Sequence, residues 1–231
     1  RDIPYSTLVQ AFQSLVRTLL GKCDAQLASW RDALKDALDA NARLMTDLIP
    51  ELKLIIGEPP PVLALDPQQE QRRFLLVFRR FIGVFAREDH PLALFLDDLQ
   101  WLDGATLDLL EDLLTSSDVH YLLLVGAYRS NEVDVTHPLT GKLEAIRSAE
   151  GKVSEIMLAP LAKVHIEHLV AEALHDDPSR IEPLAQLVLD KTAGNPFFVI
   201  QFLQTLADEQ LLTFDHDARQ WRWDLDRVHA K

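Results

Sequence analysis

The sequence of 231 residues predicts an α/β protein with a parallel sheet, on the evidence of two apolar runs and the helices between them. Leu92–Leu96 is an uninterrupted apolar run bounded by Pro91 and two carboxylates, which is typical of a strand buried on both faces. Tyr121–Ala127 is a second such run, and leucines at helical spacing lie between the two. Because parallel neighbours need a long crossover connection, strands alternating with helices indicate βα units.

Apolar residues at helical spacing predict several helices before the first strand. They cover residues 6–20, a stretch that starts near residue 24, and a long segment that begins at Pro67 and ends near Ala86. Asp66 supplies the N-cap of the long helix, and Pro67 suits its first turn. Residues 57–67 contain four prolines and no periodicity, which predicts an extended connector in front of that helix.

The pattern changes in the second half of the chain. A helix near residues 138–147 is followed by a third predicted strand, Val153–Leu158, and most of the chain from residue 164 onward has helical periodicity. Residues 211–223 read as a β-hairpin around a polar turn. We therefore expect an α/β domain over residues 1–160, a helical domain over 161–210 and the start of a third unit over 211–231.

Composition limits the partners of this chain. The formal net charge of −13 argues against direct contact with nucleic acid, which needs clustered Lys and Arg. No apolar run approaches the roughly 20 residues that span a bilayer, so no membrane partner is expected. The single cysteine, Cys23, fits a reducing compartment and a cytoplasmic location. Since Arg1 and Lys231 carry neither an initiator Met nor a targeting signal, we expect a fragment of a longer chain.

Two carboxylates follow the first predicted strand directly. Carboxylates at the carboxyl end of a parallel strand lie where open α/β sheets bind their ligands. Asp97 would there be directed at Mg²⁺, which prefers carboxylate and phosphate oxygens, and Asp98 would orient or deprotonate an attacking water. This is the pattern of a Walker B segment. The alternative is a core strand that ends in a solvated turn, with Asp103 capping the next helix.

Arg129 follows the second predicted strand in the same topological position. A guanidinium there could reach a terminal phosphate and report its presence. The alternative is a surface ion pair with Asp134 or Glu132.

Gly194-Asn195-Pro196 has two interpretations. It can be a rigid elbow that places Pro196 against an adenine ring, or a glycine stop followed by a helix that begins with proline. The pattern Gly-x-x-x-x-Gly-Lys-Ser/Thr is absent from the sequence. The backbone nest and the lysine that hold the β- and γ-phosphates are therefore absent from it as well.

Four motifs that occur in order resemble a known family. They are Leu-Phe-Leu-Asp-Asp-Leu-Gln-Trp-Leu-Asp (94–103), Leu-Leu-Val-Gly-Ala-Tyr-Arg (123–129), Leu-Ala-Pro-Leu (158–161) and Ala-Gly-Asn-Pro-Phe-Phe (193–198). Together they resemble the AAA-type ATPase domain of the signal-transduction NTPases with numerous domains (STAND), which are akin to origin-recognition-like ATPases. The closest likeness is to large bacterial sensor proteins that join a serine/threonine-kinase-like domain, this module, a GAF domain and a histidine kinase.

This resemblance implies a role for each matching residue. Asp97 matches the acid that binds Mg²⁺, Asp98 the water-activating acid (usually Glu) and Arg129 the sensor-1 arginine. Pro196 matches the adenine-contacting proline, together with Gly194 and Asn195. The implied fold is a P-loop NTPase-like parallel sheet, incomplete because its first strand and P-loop lie upstream of Arg1. A helical lid domain and the start of a winged-helix-like unit follow that sheet.

The implied function is an ATP-binding or ATPase switch module of a multidomain bacterial sensor kinase. ATP and Mg²⁺ are the expected cofactors, and the kinase, GAF and histidine-kinase domains of the same chain, with a possible second copy, are the expected partners. Residues 1–231 alone are expected to bind ATP poorly, to hydrolyse none and to aggregate. Two alternatives remain: a degenerate AAA-like interaction module that never binds nucleotide, and a DNA-loading initiator-type ATPase, which the acidic charge opposes.

Overall fold

The computed structural model describes residues 4–149 and 152–229. The chain divides into two compact units, which we call unit 1 (Arg1–Ser154) and unit 2 (Glu155–Lys231). The three-domain division drawn from the sequence stays a prediction. Within the described residues, every helix is too short or too polar to cross a membrane.

Within the described residues of unit 1, five α-helices precede the sheet. They are α1 (Ser6–Leu20), α2 (Asp24–Leu38), α3 (Ala42–Leu48), α4 (Lys53–Ile56) and α5 (Pro67–Phe85). The predicted start of α5 is confirmed, since Asp66 Oδ1 accepts a hydrogen bond from the backbone N–H of Gln69 at 3.0 Å. Residues 57–66 form neither helix nor strand, in agreement with the predicted connector.

The predicted parallel pair of strands is present in unit 1. Strand β1 (Leu92–Leu96) pairs with β2 (Leu122–Gly126), and Leu94 lies opposite Leu124. Helix α6 (Gly104–Thr115) makes the crossover between the strands, and α7 (Pro138–Ser148) follows β2. The α/β class and the βα unit are thus confirmed.

The expectation that β1 is buried on both faces is wrong. Leu94 and Leu96 are buried, but the alternate residues of both strands face outward, with Phe95 and Leu123 each 62% and Val125 44% exposed. Because alternate side chains of a strand point to opposite faces, these outward residues share one face of the sheet. The helices of unit 1 therefore cover one face of the sheet and leave the other open.

The covered face of the sheet belongs to a core rich in phenylalanine. Phe81 is fully buried and makes edge-on ring contacts with Phe12 at 5.3 Å and Phe85 at 5.0 Å. Leu94 and Leu96 of β1 belong to the same apolar cluster. The covered face of β1 thus belongs to the same core as α1 and α5.

Asp103 caps α6 as the sequence predicts, and it also anchors the start of the chain. Its Oδ1 accepts from Thr106 N at 2.9 Å, and its Oδ2 accepts from Thr106 Oγ1 at 2.6 Å and from Tyr5 N at 3.3 Å. Partial burial works to raise the pKa of Asp103, but the hydrogen bonds from Thr106 and Tyr5 outweigh it and hold that pKa below its ordinary value.

Replacement of Asp103 by alanine is expected to destabilise unit 1 by about 1–2 kcal/mol, since an N-cap and a second anchor are lost. Asp103→Asn, which keeps a cap acceptor, should cost less. Because the folded-state pKa is lowered, the contribution of Asp103 is present above the unfolded pKa and is lost as the pH falls through the folded one. Amide hydrogen exchange in α6 measures the effect, and equal protection in Asp103→Ala and wild type would contradict it.

The third predicted strand, Val153–Leu158, is wrong. These residues form no strand, and Ile156, Met157 and Leu158 are each more than 80% exposed. A strand is held by hydrogen bonds to a neighbouring strand, and the described residues contain no strand that pairs with this segment. Apolar composition alone therefore did not make it a strand.

Unit 2 contains the predicted helices and the predicted hairpin. Its elements are α8 (Lys163–Leu174), α9 (Pro178–Thr192), α10 (Pro196–Asp208), β3 (Leu212–Asp215), β4 (Gln220–Trp223) and α11 (Leu225–His229). Strands β3 and β4 pair antiparallel. Arg180 of α9 attaches to the hairpin, since its Nη2 donates to the Trp221 carbonyl at 2.6 Å and its guanidinium lies 4.8 Å from the Trp223 ring centre.

Candidate functional site

The carboxyl ends of β1 and β2 meet at one edge of the sheet because the strands are parallel. Beyond the strands the pairing continues, with Ala127 N donating to Leu96 O and Leu99 N donating to Ala127 O, both at 2.9 Å. These two bonds fix the segments that follow the strands next to each other. The acidic pair after β1 and the arginine after β2 are thus held at the same edge, as the sequence predicts.

Asp98 faces Arg129 across this edge. The Asp98 backbone is left-handed, with φ 52° and ψ 47°, a conformation in which Asp is enriched among non-glycine residues. Its Oδ1 lies 3.4 Å from Arg129 Nε and also accepts a hydrogen bond from Gln100 Nε2 at 2.8 Å. The two residues assigned to catalysis from the sequence are therefore brought together, whereas their catalytic roles stay predictions.

Gln100 bridges the two strand ends, and the sequence analysis missed it. Its side chain reaches Asp98 with Nε2 and accepts the backbone N–H of Arg129 with Oε1 at 3.3 Å. Gln100 is only 7% exposed, and a buried amide is stable only when its polar atoms are paired. The sequence offered one signal for Gln100: it is a polar residue between Leu99 and Trp101, four positions after the end of the apolar run.

Arg129 makes two further contacts beyond β2. Its Nη1 donates to Glu132 Oε1 at 3.1 Å, and its guanidinium carbon lies 4.9 Å from the centre of the Trp101 ring. Trp101 Nε1 in turn donates to Glu132 Oε2 at 3.1 Å. Of the two surface partners left open by the sequence, Glu132 is therefore the one present, while the Asp134 carboxylate accepts hydrogen bonds from Thr136.

Asp97, assigned to Mg²⁺ from the sequence, has an exposed carboxylate, and its Oδ1 accepts the backbone N–H of Asp98 at 2.9 Å. Mg²⁺ in nucleotide sites is usually held by one or two carboxylates together with waters and phosphate oxygens. The exposed carboxylate of Asp97 fits that donor set. Among the described residues there is no cluster of three or more His, Cys, Asp or Glu side chains arranged to hold a metal, so Asp97 would hold the ion together with waters and phosphate oxygens.

Gly194, Asn195 and Pro196 start α10 in unit 2. Gly194 has φ 74° and its carbonyl accepts from Leu161 N at 2.8 Å. Asn195 Oδ1 caps α10 by accepting the backbone N–H of Phe197 at 3.0 Å, and Pro196 occupies the first turn with its ring exposed. These contacts match the interpretation as a glycine stop with a helix led by proline. Contact with adenine stays a prediction.

An acidic pair and an arginine at the carboxyl edge of a parallel sheet are typical of α/β nucleotide-binding proteins. Comparison with protein families agrees, since the model of the AAA ATPase domain family matches residues 1–125. The chain belongs to the AAA ATPase domain family. The matched region includes Asp97 and Asp98 and ends before Arg129.

A comparison with curated proteins gives one distant relative of known class. The chain is similar to the hybrid signal transduction histidine kinase G of Dictyostelium discoideum, with 28% identity over 291 aligned positions. That alignment covers 99% of this chain and 8% of the relative, so the chain spans a small part of that protein. No solved structure matches the chain.

Proposed function

We propose that this chain is the ATP-binding switch module of a multidomain signalling protein, with Mg²⁺ as its metal. The observation that carries the proposal is the shared strand edge, where Asp98 lies 3.4 Å from Arg129 and Asp97 is exposed beside them. Membership in the AAA ATPase domain family supports the nucleotide, and similarity to a signal transduction histidine kinase supports the signalling role.

Each residue of the edge then has a defined task. Asp97 coordinates Mg²⁺, which supplies charge neutralisation for the phosphates. Asp98 orients the attacking water, and Arg129 contacts the terminal phosphate. Asp98 is shorter than the glutamate usual at this position and is paired with Arg129, so we expect slow hydrolysis, as suits a switch.

The finer assignments belong to the same proposal. The module is of the STAND type, from a cytoplasmic bacterial sensor kinase, with residues 161–210 as the helical lid domain and residues 211–231 as the start of a winged-helix-like unit. Pro196 contacts adenine, and the partners are the kinase, GAF and histidine-kinase domains of the same chain, with possible homo-oligomers. ATP changes the populations of the switch states only through its differential affinity for them. The printed sequence has no P-loop, so residues 1–231 alone should neither bind ATP well nor hydrolyse it.

The test is an ATP titration of the intact protein by calorimetry, with and without Mg²⁺. Asp97→Asn should weaken Mg²⁺-dependent ATP binding at least about tenfold, because a charged metal ligand is lost, and should leave Mg²⁺-independent binding unchanged. Asp32→Asn removes the same charge from the exposed face of α2 and serves as the matched control. Equal Mg²⁺-dependent affinities for Asp97→Asn and wild type would contradict the proposed metal role.

A non-catalytic AAA-like interaction module is the second candidate. The observation in its favour is that Arg129 is already neutralised by Asp98 and Glu132, which suits a fold that no longer binds nucleotide. The exposed apolar face of the sheet, with Phe95 and Leu123 outward, also suits a module that contacts proteins. Absence of ATP binding by the intact wild-type protein would favour this candidate over the switch.

A further inference from the structure

We infer that Glu132 competes with the terminal phosphate of the nucleotide for Arg129. Glu132 holds Arg129 in the nucleotide-free protein and releases it when a triphosphate binds. Trp101 is the positioning residue that orients both partners. The inference rests on the proposed function, since it concerns the same arginine, and it adds the group that regulates that arginine.

The side chains of Arg129, Glu132 and Trp101 form a closed set of contacts. Arg129 Nη1 donates to one oxygen of Glu132, Trp101 Nε1 donates to the other, and the guanidinium lies over the Trp101 ring. An isolated surface pair would leave one carboxylate oxygen to water. Here both oxygens of Glu132 have protein donors, so the guanidinium is held in one place rather than sampling many rotamers.

The charge at this strand edge is unfavourable for an approaching phosphate. Arg129 lies between two carboxylates, at 3.4 Å from Asp98 and 3.1 Å from Glu132, which leaves the group of three with a net negative charge. A phosphate that approaches such a group is repelled, because like charges at short range are unfavourable. A phosphate that approaches Arg129 therefore competes with these two carboxylates for the guanidinium.

Of the two carboxylates, Glu132 is the replaceable partner. Each has a second hydrogen bond, but the donor to Asp98 is the buried Gln100, whereas the donor to Glu132 is Trp101, which is 65% exposed. Asp98 also has a left-handed backbone just after β1. Glu132 lies in the turn after β2 and reaches Arg129 as an i,i+3 pair. Arg129 can therefore exchange the Glu132 oxygen for a phosphate oxygen while it remains on the Trp101 ring and beside Asp98.

The test is Glu132→Gln in the intact protein, with ATP and ADP affinities measured by calorimetry. The amide keeps an acceptor for Trp101 Nε1 but removes the competing charge, so ATP should bind about two- to fivefold more tightly, the range equivalent to an exposed ion pair. ADP affinity should not change, because ADP lacks the terminal phosphate. Trp101→Phe, which removes the N–H donor and keeps a ring, should shift ATP affinity in the same direction and by less.

A second measurement reads the contact without nucleotide. Phenylglyoxal modifies accessible guanidinium groups, and peptide mapping gives the rate at each arginine. Arg129 should react faster in Glu132→Gln than in wild type, and ATP should protect it in both, while exposed Arg72 on α5 is the internal reference. Glu144→Gln, an exposed change of the same charge on α7, should alter neither measurement.

The outcomes separate this inference from the proposed function. If wild type binds ATP but Glu132→Gln binds it equally or more weakly, or gains affinity for ADP to the same degree, the competitor role of Glu132 is overturned and the switch proposal stands. If the intact wild-type protein binds no ATP, the proposed function and this inference fall together. An unchanged rate of Arg129 modification in Glu132→Gln overturns the holding contact itself.

Discussion

Replacement of Phe81 by alanine is expected to destabilise unit 1 by about 3–5 kcal/mol, the range for truncation of a buried phenylalanine. Phe81 is fully buried, and its ring contacts those of Phe12, Phe78 and Phe85 at 5.0–6.0 Å. These rings come from α1 and α5, which are themselves held against each other. Because close-packed cores relax only partly around a deleted side chain, much of the lost packing is not recovered.

The effect of Phe81→Ala should reach the nucleotide edge. Leu94 and Leu96 lie in the same apolar cluster as Phe81, and β1 ends one residue before Asp97. Amide hydrogen exchange measures the change. We expect faster exchange across α5 and β1 and an unchanged exchange rate in unit 2, which has its own core. Leu54→Ala is the matched control, because Leu54 is 68% exposed and its truncation should be nearly neutral. A loss in Phe81→Ala no larger than in this control would contradict the expectation.

The parts of the fold that the sequence predicts correctly are those with local physical causes. Asp66 and Pro67 start α5 because a carboxylate accepts free N–H groups and proline suits the first turn. Leu92–Leu96 forms a strand at the predicted bounds, since its apolar run is short and is bounded by Pro91 and Asp97. The placement of Asp98 and Arg129 at the same edge of the sheet follows from the parallel pairing of β1 and β2.

The parts that sequence reasoning misses depend on neighbours. The outward face of Phe95 and Val125 is open because the described chain supplies no layer over it, which no pattern within the strands could reveal. Val153–Leu158 lacks a strand to pair with. Gln100 matters through side-chain contacts across the strand edge, and these depend on rotamers and distances rather than on spacing along the chain.

Gly194→Ala is expected to destabilise unit 2 by about 2–5 kcal/mol. Gly194 has φ 74°, and a left-handed backbone costs an ordinary residue about 1–2 kcal/mol. A Cβ at this position would also overlap the backbone carbonyl oxygen of Leu161 and would lie 3.1 Å from the Leu161 backbone nitrogen. Such overpacking adds about 1–3 kcal/mol. Because the obstacle is backbone, α10 or the segment at Leu161 has to move.

Two other glycines separate strain from overlap. Gly57 has a similar φ of 84°, and a Cβ added there would have no atom within 4 Å. Gly141 lies in α7, and a Cβ added there would also have no atom within 4 Å. The variants are Gly57→Ala and Gly141→Ala. The first should lose only about 1–2 kcal/mol through backbone strain, and the second should be neutral or slightly stabilising. Hydrogen exchange in α8 and α10 reports the loss in Gly194→Ala, and a loss equal to that in Gly57→Ala would show that the Leu161 contact contributes nothing. Because folding already requires the glycine of Gly194-Asn195-Pro196, its replacement does not isolate a nucleotide role, which has to be tested at Pro196, whose ring is exposed.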